Sequence, residues 1–448
     1  MKTKYSYKQI WTISYPILIS LIMEQMIGMT DTAFLGRVGE IELGASAIAG
    51  VYYLAIFMMA FGFSIGAQIL IARRNGEGNY KEIGPIFYQG IYFLVVVAAI
   101  LFTLSIVFSP FILKNIISSP HIYDAAESYI HWRVYGFFFS FVGVMFRAFF
   151  VGTTQTKTLT LNSIVMVLSN VVFNYILIFG RFGAPEMGIR GAAIGTFAAR
   201  ILELGIVLFY VWKKDTKVKL FDEKFRDGII GKGSGTVWKT FFKVCIPILT
   251  SGLLWAVSLP MQTAILGHLS ADAIAANSVS STFFQYLKVI VIAIAGASAV
   301  VIGKDIGSND EEKVRCNGRT LSVLYLAIGL LLGTVLFLLR SPLLSMYRLT
   351  PQATLYADHF MIIMSVIMVG MSYQMPVGVG IIQGGGDTKF SMYLNLISVW
   401  CIVMPLSFLA AFYWKLPVEL VVIAVQSDQI FKCLPIFLRF KSYKWIHK

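Results

Sequence analysis

The chain has 448 residues, of which 57% are hydrophobic and only 13% charged, against roughly 45–50% apolar and about 25% charged in soluble domains. That balance excludes an ordinary soluble enzyme and fits a polytopic membrane protein. The net charge of +14 does not point to nucleic acid, because the basic residues sit in short stretches between apolar runs and form no basic groove interleaved with aromatics.

In chain order, apolar runs of spanning length predict twelve helices, at 10–36, 45–72, 84–109, 124–152, 158–180, 188–212, 241–267, 272–303, 316–340, 353–384, 388–413 and 417–438. They carry Gly, Ser and Phe rather than strand-like alternation, so they read as spanning helices and not as barrel strands. The first run follows Lys2, Lys4 and Lys8, but it is too long for a signal peptide, contains Glu24 and ends without a small-residue cleavage site. With the N-terminus inside, the cytoplasmic segments collect about 25 Lys and Arg and the outer ones about seven, which predicts both termini in the cytoplasm. Cys245, Cys316, Cys401 and Cys433 show no CxxC or metal spacing and read as small buried hydrophobes.

The polar stretch from Lys213 to Gly235 is the sizeable linker and falls near mid-chain. It predicts an N-lobe at 1–212 with six spans, a cytoplasmic linker at 213–238 and a C-lobe at 239–448 with six more. The two halves repeat. Laying the segment from Lys8 over the one from Lys239 pairs Pro16 with Pro247, Thr32 and Ala33 with Thr263 and Ala264, and Gly36 with Gly267. Nearly the same offset sets Gly66 against Gly296 and Gln155 against Asp387, which marks an internal duplication. Because each unit holds an even number of spans, the copies are parallel repeats, and two six-helix lobes around a central cavity follow as the expected all-α architecture. Pro16 and Pro247 each remove a backbone hydrogen bond at matching points, for a bend that moves or a static kink.

One difference between the copies stands out: "MTDTAFLG" places Asp31 in the first span, whereas "MQTAILG" places Gln262 in the seventh. An acid near the centre of a spanning helix costs about 2.5–3.5 kcal/mol on insertion scales. Asp31 is thus either an ion-exchanging carboxylate or a capping acid near the outer surface. Glu24, seven residues earlier, returns to nearly the same helix face, as a second cavity acid or as the partner of a buried base. Asn170 and Asn174, one turn apart in span five, and Thr196 in span six offer uncharged oxygens. Around one carboxylate they suit a monovalent cation or a protonation site, and equally they suit helix-to-helix hydrogen bonding.

Among other polar residues in spans, Lys288 either pairs with an acid such as Glu24 or Asp428 or faces the cavity. Arg200 with Glu203, and Asp428 with Lys432, are spaced to neutralise each other. Arg147 reads as snorkelling, and His131, Arg133, Asp358 and His359 as interfacial. Gln25, Tyr52, Tyr53, Gln68, Tyr286, Tyr373 and Met375, together with Glu24 and Lys288, are candidates to line a substrate cavity able to accept flat cations.

The duplicated TAxLG phrase after a membrane aspartate, "GGDTK" near Asp387, "NVVFNYILIFG" from Asn170 and "GIRGAAIGT" from Gly188 together resemble the MATE family, the multidrug and toxic compound extrusion transporters, over essentially the whole chain. The resemblance implies an inner-membrane antiporter that exports organic, often cationic, amphipathic compounds in exchange for protons or sodium by alternating access, with no cofactor beyond the ion. It implies an N-lobe cation site at Asp31, Asn170, Asn174 and Thr196, with Asp31, Asn170 and Asn174 as ligands if the ion is sodium. The pattern is closer to the DinF-like branch, but Asn174 stands where that branch often has an aspartate. The C-lobe acids of the NorM-like branch are replaced by Trp255, Gln262 and Asn395.

A lipid-linked saccharide or lipid flippase of related fold is the alternative, for which a strongly basic cavity would be expected. No metalloprotease motif or serine–histidine pair supports a membrane enzyme. Small organic substrates and the bilayer are the expected partners, with no nucleic acid and a monomeric state.

Overall fold

The computed structural model describes residues 7–116, 119–215, 218–221, 234–347 and 349–446, so much of the predicted linker 213–238 lies outside the described residues. The described chain is nearly all helical: α1 (Tyr7–Val38), α2 (Glu40–Glu77), α3 (Ile83–Ile116), α4 (Pro120–Arg133), α5 (Gly136–Gly152), α6 (Thr156–Phe179), α7 (Gly188–Lys214), α8 (Ser234–Gly267), α9 (Ala271–Gly307), α10 (Glu311–Leu344), α11 (Pro351–Ile382), α12 (Thr388–Tyr413) and α13 (Val418–Lys441). Among the described residues nine helices are long and apolar enough to cross a membrane, and α4 with α5, bent by 50°, makes a tenth. The long helices α2 and α8, of 38 and 34 residues, bring the set to the twelve spans expected from the apolar runs.

The helix ends follow local chemistry. Gly78 and Gly180 close α2 and α6 in the left-handed conformation, at φ 71° and 63°, which a side chain would strain. Ser270, Asp310 and Thr350 accept backbone N–H groups at the starts of α9, α10 and α11, and Pro351 follows Thr350 where its missing N–H costs nothing. The last turns of α11 and two stretches of α12 are π-helical.

The chain forms two compact units, one Ile19–Leu249 and the other the segment up to Leu18 together with Thr250–Lys448. The two boundaries fall just after Pro16 and just after Pro247, at positions the repeat pairs. The first turns of α8 therefore pack in the first unit, where Phe241 and Cys245 join its core, and Ile17 of α1 lies against Gly296 in the second.

In the first unit the core is aromatic, with Phe63, Phe87, Phe137, Phe141 and Phe149 fully buried. Small residues set the closest helix approaches. Gly191 and Gly195 form a GxxxG step on α7 that admits α6: a Cβ at Gly191 would lie 2.5 Å from the Leu177 carbonyl oxygen, and one at Gly195 would lie 2.3 Å from Asn174 Oδ1. The seat of Asn174 thus depends on a hydrogen atom in place of a methyl group.

In the second unit, Met361, Met364, Met368 and Met371 of α11 fill the core. The "GGGDTK" turn there has a structural account. Gly384 touches Ala299, Gly385 lies under the Trp445 ring, and Gly386 takes φ 99°. Asp387 caps α12 and pairs with Arg439 at 2.6 Å.

Gly195→Ala should lower stability by about 1–3 kcal/mol, the usual cost of overpacking. Gly205→Ala, on the same helix but with nothing within 4 Å of its added methyl, should be neutral or slightly stabilising. Thermal unfolding of the two purified variants in one detergent checks the contrast.

Candidate functional site

Four spans of the first unit bring polar side chains to one buried point. Asp31, on α1, is 6% exposed, and Asn170 and Asn174 are fully buried. Asn174 and Asn170 share a face of α6 because they are one turn apart, and Thr196 comes from α7, held close by the glycine step. Asn174 Nδ2 donates to Asp31 Oδ1 at 2.5 Å and to Asn170 Oδ1 at 3.3 Å, while Asn170 Nδ2 donates to Thr196 Oγ1 at 3.0 Å. Thr196 in turn donates to the Ala192 carbonyl at 3.0 Å. The structure therefore gathers all four residues of the expected cation site.

It adds a fifth that the sequence reading had placed at the interface. The Arg133 guanidinium donates to Asp31 Oδ2 at 3.2 Å, to Thr196 Oγ1 at 3.1 Å and to the Tyr129 hydroxyl at 2.8 Å, and it lies 4.6 Å from the Tyr53 ring centroid. Arg133 is the last residue of α4, next to the 50° break before Gly136, where the negative end of the helix dipole favours a cation. Distance along the sequence from the end of the span misled the reading. The available signal was Tyr129, four residues earlier on the same helix face.

One further expectation changes, and one alternative is selected. Arg147 does not snorkel: its Nη1 lies 3.4 Å from Glu24 Oε2, and its guanidinium is 5.3 Å from the Phe61 ring centroid. Glu24 is the partner of buried bases, with Arg200 Nη2 also 3.7 Å away. Arg200 pairs with Glu203 at 2.9 Å, and Lys432 with Asp428 at 2.8 Å, as their spacing predicts.

Of the proposed cavity residues, Tyr52 bonds Ser105 at 2.8 Å and Tyr53 bonds Ser140 at 3.0 Å. Gln25 and Tyr286 are exposed, and Gln68 is buried on α2. Tyr373 lies in the core of the second unit, and Met375 packs against it. Lys288 rests its ammonium 4.6 Å from the Trp255 ring centroid.

A sodium ion would need oxygen lone pairs turned toward it. Each Asp31 oxygen accepts from one donor, Asn174 or Arg133, and the buried Asn174 Oδ1 has no hydrogen-bond partner among the described residues. Turning the Asn174 amide over would set its oxygen against both Asp31 Oδ1 and Asn170 Oδ1, so the network itself fixes the amide. The carboxylate can exchange Arg133 for a proton or a monovalent cation as its counter-charge.

The MatE family model matches residues 16–176 and 247–409, one stretch in each repeat. A probable multidrug resistance protein NorM of Thermotoga maritima is 23% identical over 440 residues, covering 98% of this chain and 93% of the relative. A MOP superfamily transporter from Pyrococcus furiosus has the same fold, with TM-score 0.87 at 16% identity over 97% of this chain and 94% of the other. A Vibrio cholerae MATE transporter, VcmN in the bent form, aligns with TM-score 0.83 at 19% identity over 97% and 96%. With both halves matched and the twelve-helix, two-lobe fold shared, the chain belongs to the MatE family of membrane transporters.

Proposed function

We propose that the chain is a secondary active antiporter of the inner membrane, both termini cytoplasmic, that exports amphipathic organic compounds in exchange for protons. The curated relatives are named for multidrug resistance, and the buried Asp31 with its donors supplies an exchangeable charge. The single observation that carries the reading is the contact of Asp31 with Arg133 and Asn174 inside the first unit.

The charged carboxylate is matched by the guanidinium and the amide. A proton on Asp31 removes the ionic half of that match, so Arg133 loses its counter-charge while keeping Tyr129 and Thr196. Because Arg133 sits at the break between α4 and α5, its release acts where the span is already bent. Each charge carried inward contributes about 2.3 kcal/mol per 100 mV, and a difference of that size biases a two-state equilibrium several tens of fold.

Asp31→Asn should abolish gradient-driven efflux of a cationic dye from sealed vesicles while the protein stays folded in the membrane. Efflux at the wild-type rate would remove Asp31 from the mechanism. Arg133→Gln should slow efflux by about tenfold or more, the size expected from losing a charged hydrogen bond of about 1.5–3 kcal/mol. With the two gradients imposed separately, a pH gradient alone should drive export and a sodium gradient at fixed pH should not. The reverse result would make sodium the coupling ion.

A further inference from the structure

Two helical turns along α1, α6 and α7 from Asp31, about 10 Å by helical rise, lies a second polar layer. The apolar residues Ile27, Met166, Val167 and Ala199 stand between the two. Ser20, Glu24, Arg147, Asn162, Arg200 and Glu203 line a cavity of about 40 Å³ there, room for a charged head group or two waters. It is far below the roughly 300–1,000 Å³ of a drug-sized pocket.

Its two acids are held differently. Glu203 is tightly fixed, by Arg200 at 2.9 Å and by Asn162 Nδ2 at 2.9 Å. Glu24 spans two guanidinia at 3.4 and 3.7 Å and keeps 28% of its side chain exposed. Two shielded atoms of the layer have no partner among the described residues: the donor Arg200 Nε and the acceptor Asn162 Oδ1. Asn162 itself is only 8% exposed.

The other repeat provides an internal comparison. The pairing of Pro16 with Pro247 sets Ser20 opposite Ser251 and Glu24 opposite Trp255. The pairing of Gln155 with Asp387 sets Ser163 opposite Asn395 and Arg200 opposite Lys432. The same node is built twice, since Ser20 bonds Ser163 at 2.6 Å and Asn395 bonds Ser251. In the second unit it is closed: Lys432 binds Asn395 at 2.9 Å and Asp428 at 2.8 Å, Gln429 donates to both Asp428 oxygens, and none of these groups is left unpaired. The first unit has kept its version open, with one spare donor, one spare acceptor and a loosely held acid.

We infer that this cavity is a subsite for a zwitterionic head group, a carboxylate on Arg147 and Arg200 with a protonated amine on Glu24 and Asn162 Oδ1. The inference rests on the export reading and narrows its substrate class from amphipathic organic compounds to amphiphiles with an adjacent amine and acid. The layer is neutral, with two acids and two guanidinia. A lone cation would add positive charge beside two arginines, and a lone carboxylate would add negative charge beside Glu203. A head group carrying both keeps the buried layer neutral and satisfies both spare atoms. The apolar remainder of the ligand lies outside so small a space.

The test uses the full chain purified in detergent and two fluorescent probes: Nε-dansyl-lysine, whose head is a free amino acid, and dansyl-cadaverine, the same molecule without its carboxylate. The wild-type protein should bind dansyl-lysine about tenfold or more tightly than dansyl-cadaverine, as expected for charge-assisted contacts to two guanidinia. Equal binding, or tighter binding of the amine, overturns the inference without any variant and points to water in the cavity. Arg147→Gln should erase the preference while leaving dansyl-cadaverine binding in place, which also reports a folded protein. Preference that survives both Arg147→Gln and Arg200→Gln places carboxylate recognition elsewhere and overturns the inference. Efflux of a cationic dye and of Nε-dansyl-lysine from sealed vesicles tests export separately. Efflux without zwitterion preference removes the subsite alone, and binding preference without any efflux removes the export reading alone.

Discussion

A carboxylate buried among spanning helices must be surrounded by donors, because burial takes it out of water and an unmatched charge costs several kcal/mol. Asp31 meets that constraint with one guanidinium and one amide, and much of the local fold follows from it. Asn174 reaches the carboxylate because α6 lies hard against α7, and α6 can do so because Gly191 and Gly195 have no side chains. Thr196 is one residue beyond Gly195 and shares its close approach. Arg133 arrives from α4 because the fourth span breaks there instead of running on as a straight helix. The polar site and the irregularities of the helices around it are one design.

Much of this was legible in the sequence, for reasons that differ residue by residue. The spans declare themselves because lipid demands long apolar runs, and the duplication because Pro16 and Pro247 anchor a steady offset. The cluster of Asp31, Asn170, Asn174 and Thr196 was within reach because helical periodicity puts the two asparagines on one face, although periodicity alone left helix-to-helix bonding open. Arg133 was missed because a charged residue near the predicted end of a span has an easier explanation in snorkelling. The break that turns it inward is set by packing of α4 and α5 against α2 and α7, which sequence spacing does not carry. The ring contact of Lys288 with Trp255 is likewise a product of three-dimensional packing that sequence spacing does not carry.

The repeats also explain why one acid was retained. In the second unit Gln262 replaces Asp31, Trp255 replaces Glu24, and the polar node is a saturated set around Lys432 and Asp428. A saturated network of that kind resists rearrangement, since every broken contact strands a buried group. In the first unit, Arg133 keeps two neutral acceptors when it leaves Asp31, and Glu24 is held only by long contacts. The unit with spare hydrogen-bonding capacity is the one able to change protonation while the freed guanidinium keeps its hydrogen-bond acceptors.

The separation of the two layers bears on how ion and substrate communicate. A proton on Asp31 leaves one uncompensated positive charge on Arg133. Across about 10 Å at an effective dielectric of about 20, such a charge acts on a unit charge in the second layer with about 1.7 kcal/mol. It repels an amine and attracts a carboxylate by nearly equal amounts. For a zwitterionic head group the two effects largely cancel, so the field of the first layer does little net work on the occupant of the second. Exchange of one for the other then has to be transmitted through the helices that both layers share. α1, α6 and α7 each carry one residue or more of both, with Ile27, Met166, Val167 and Ala199 packed between. A shift of α1 that releases Asp31 from Arg133 also moves Glu24 relative to Arg147 and Arg200, which makes the apolar spacer the mechanical link between the two sites.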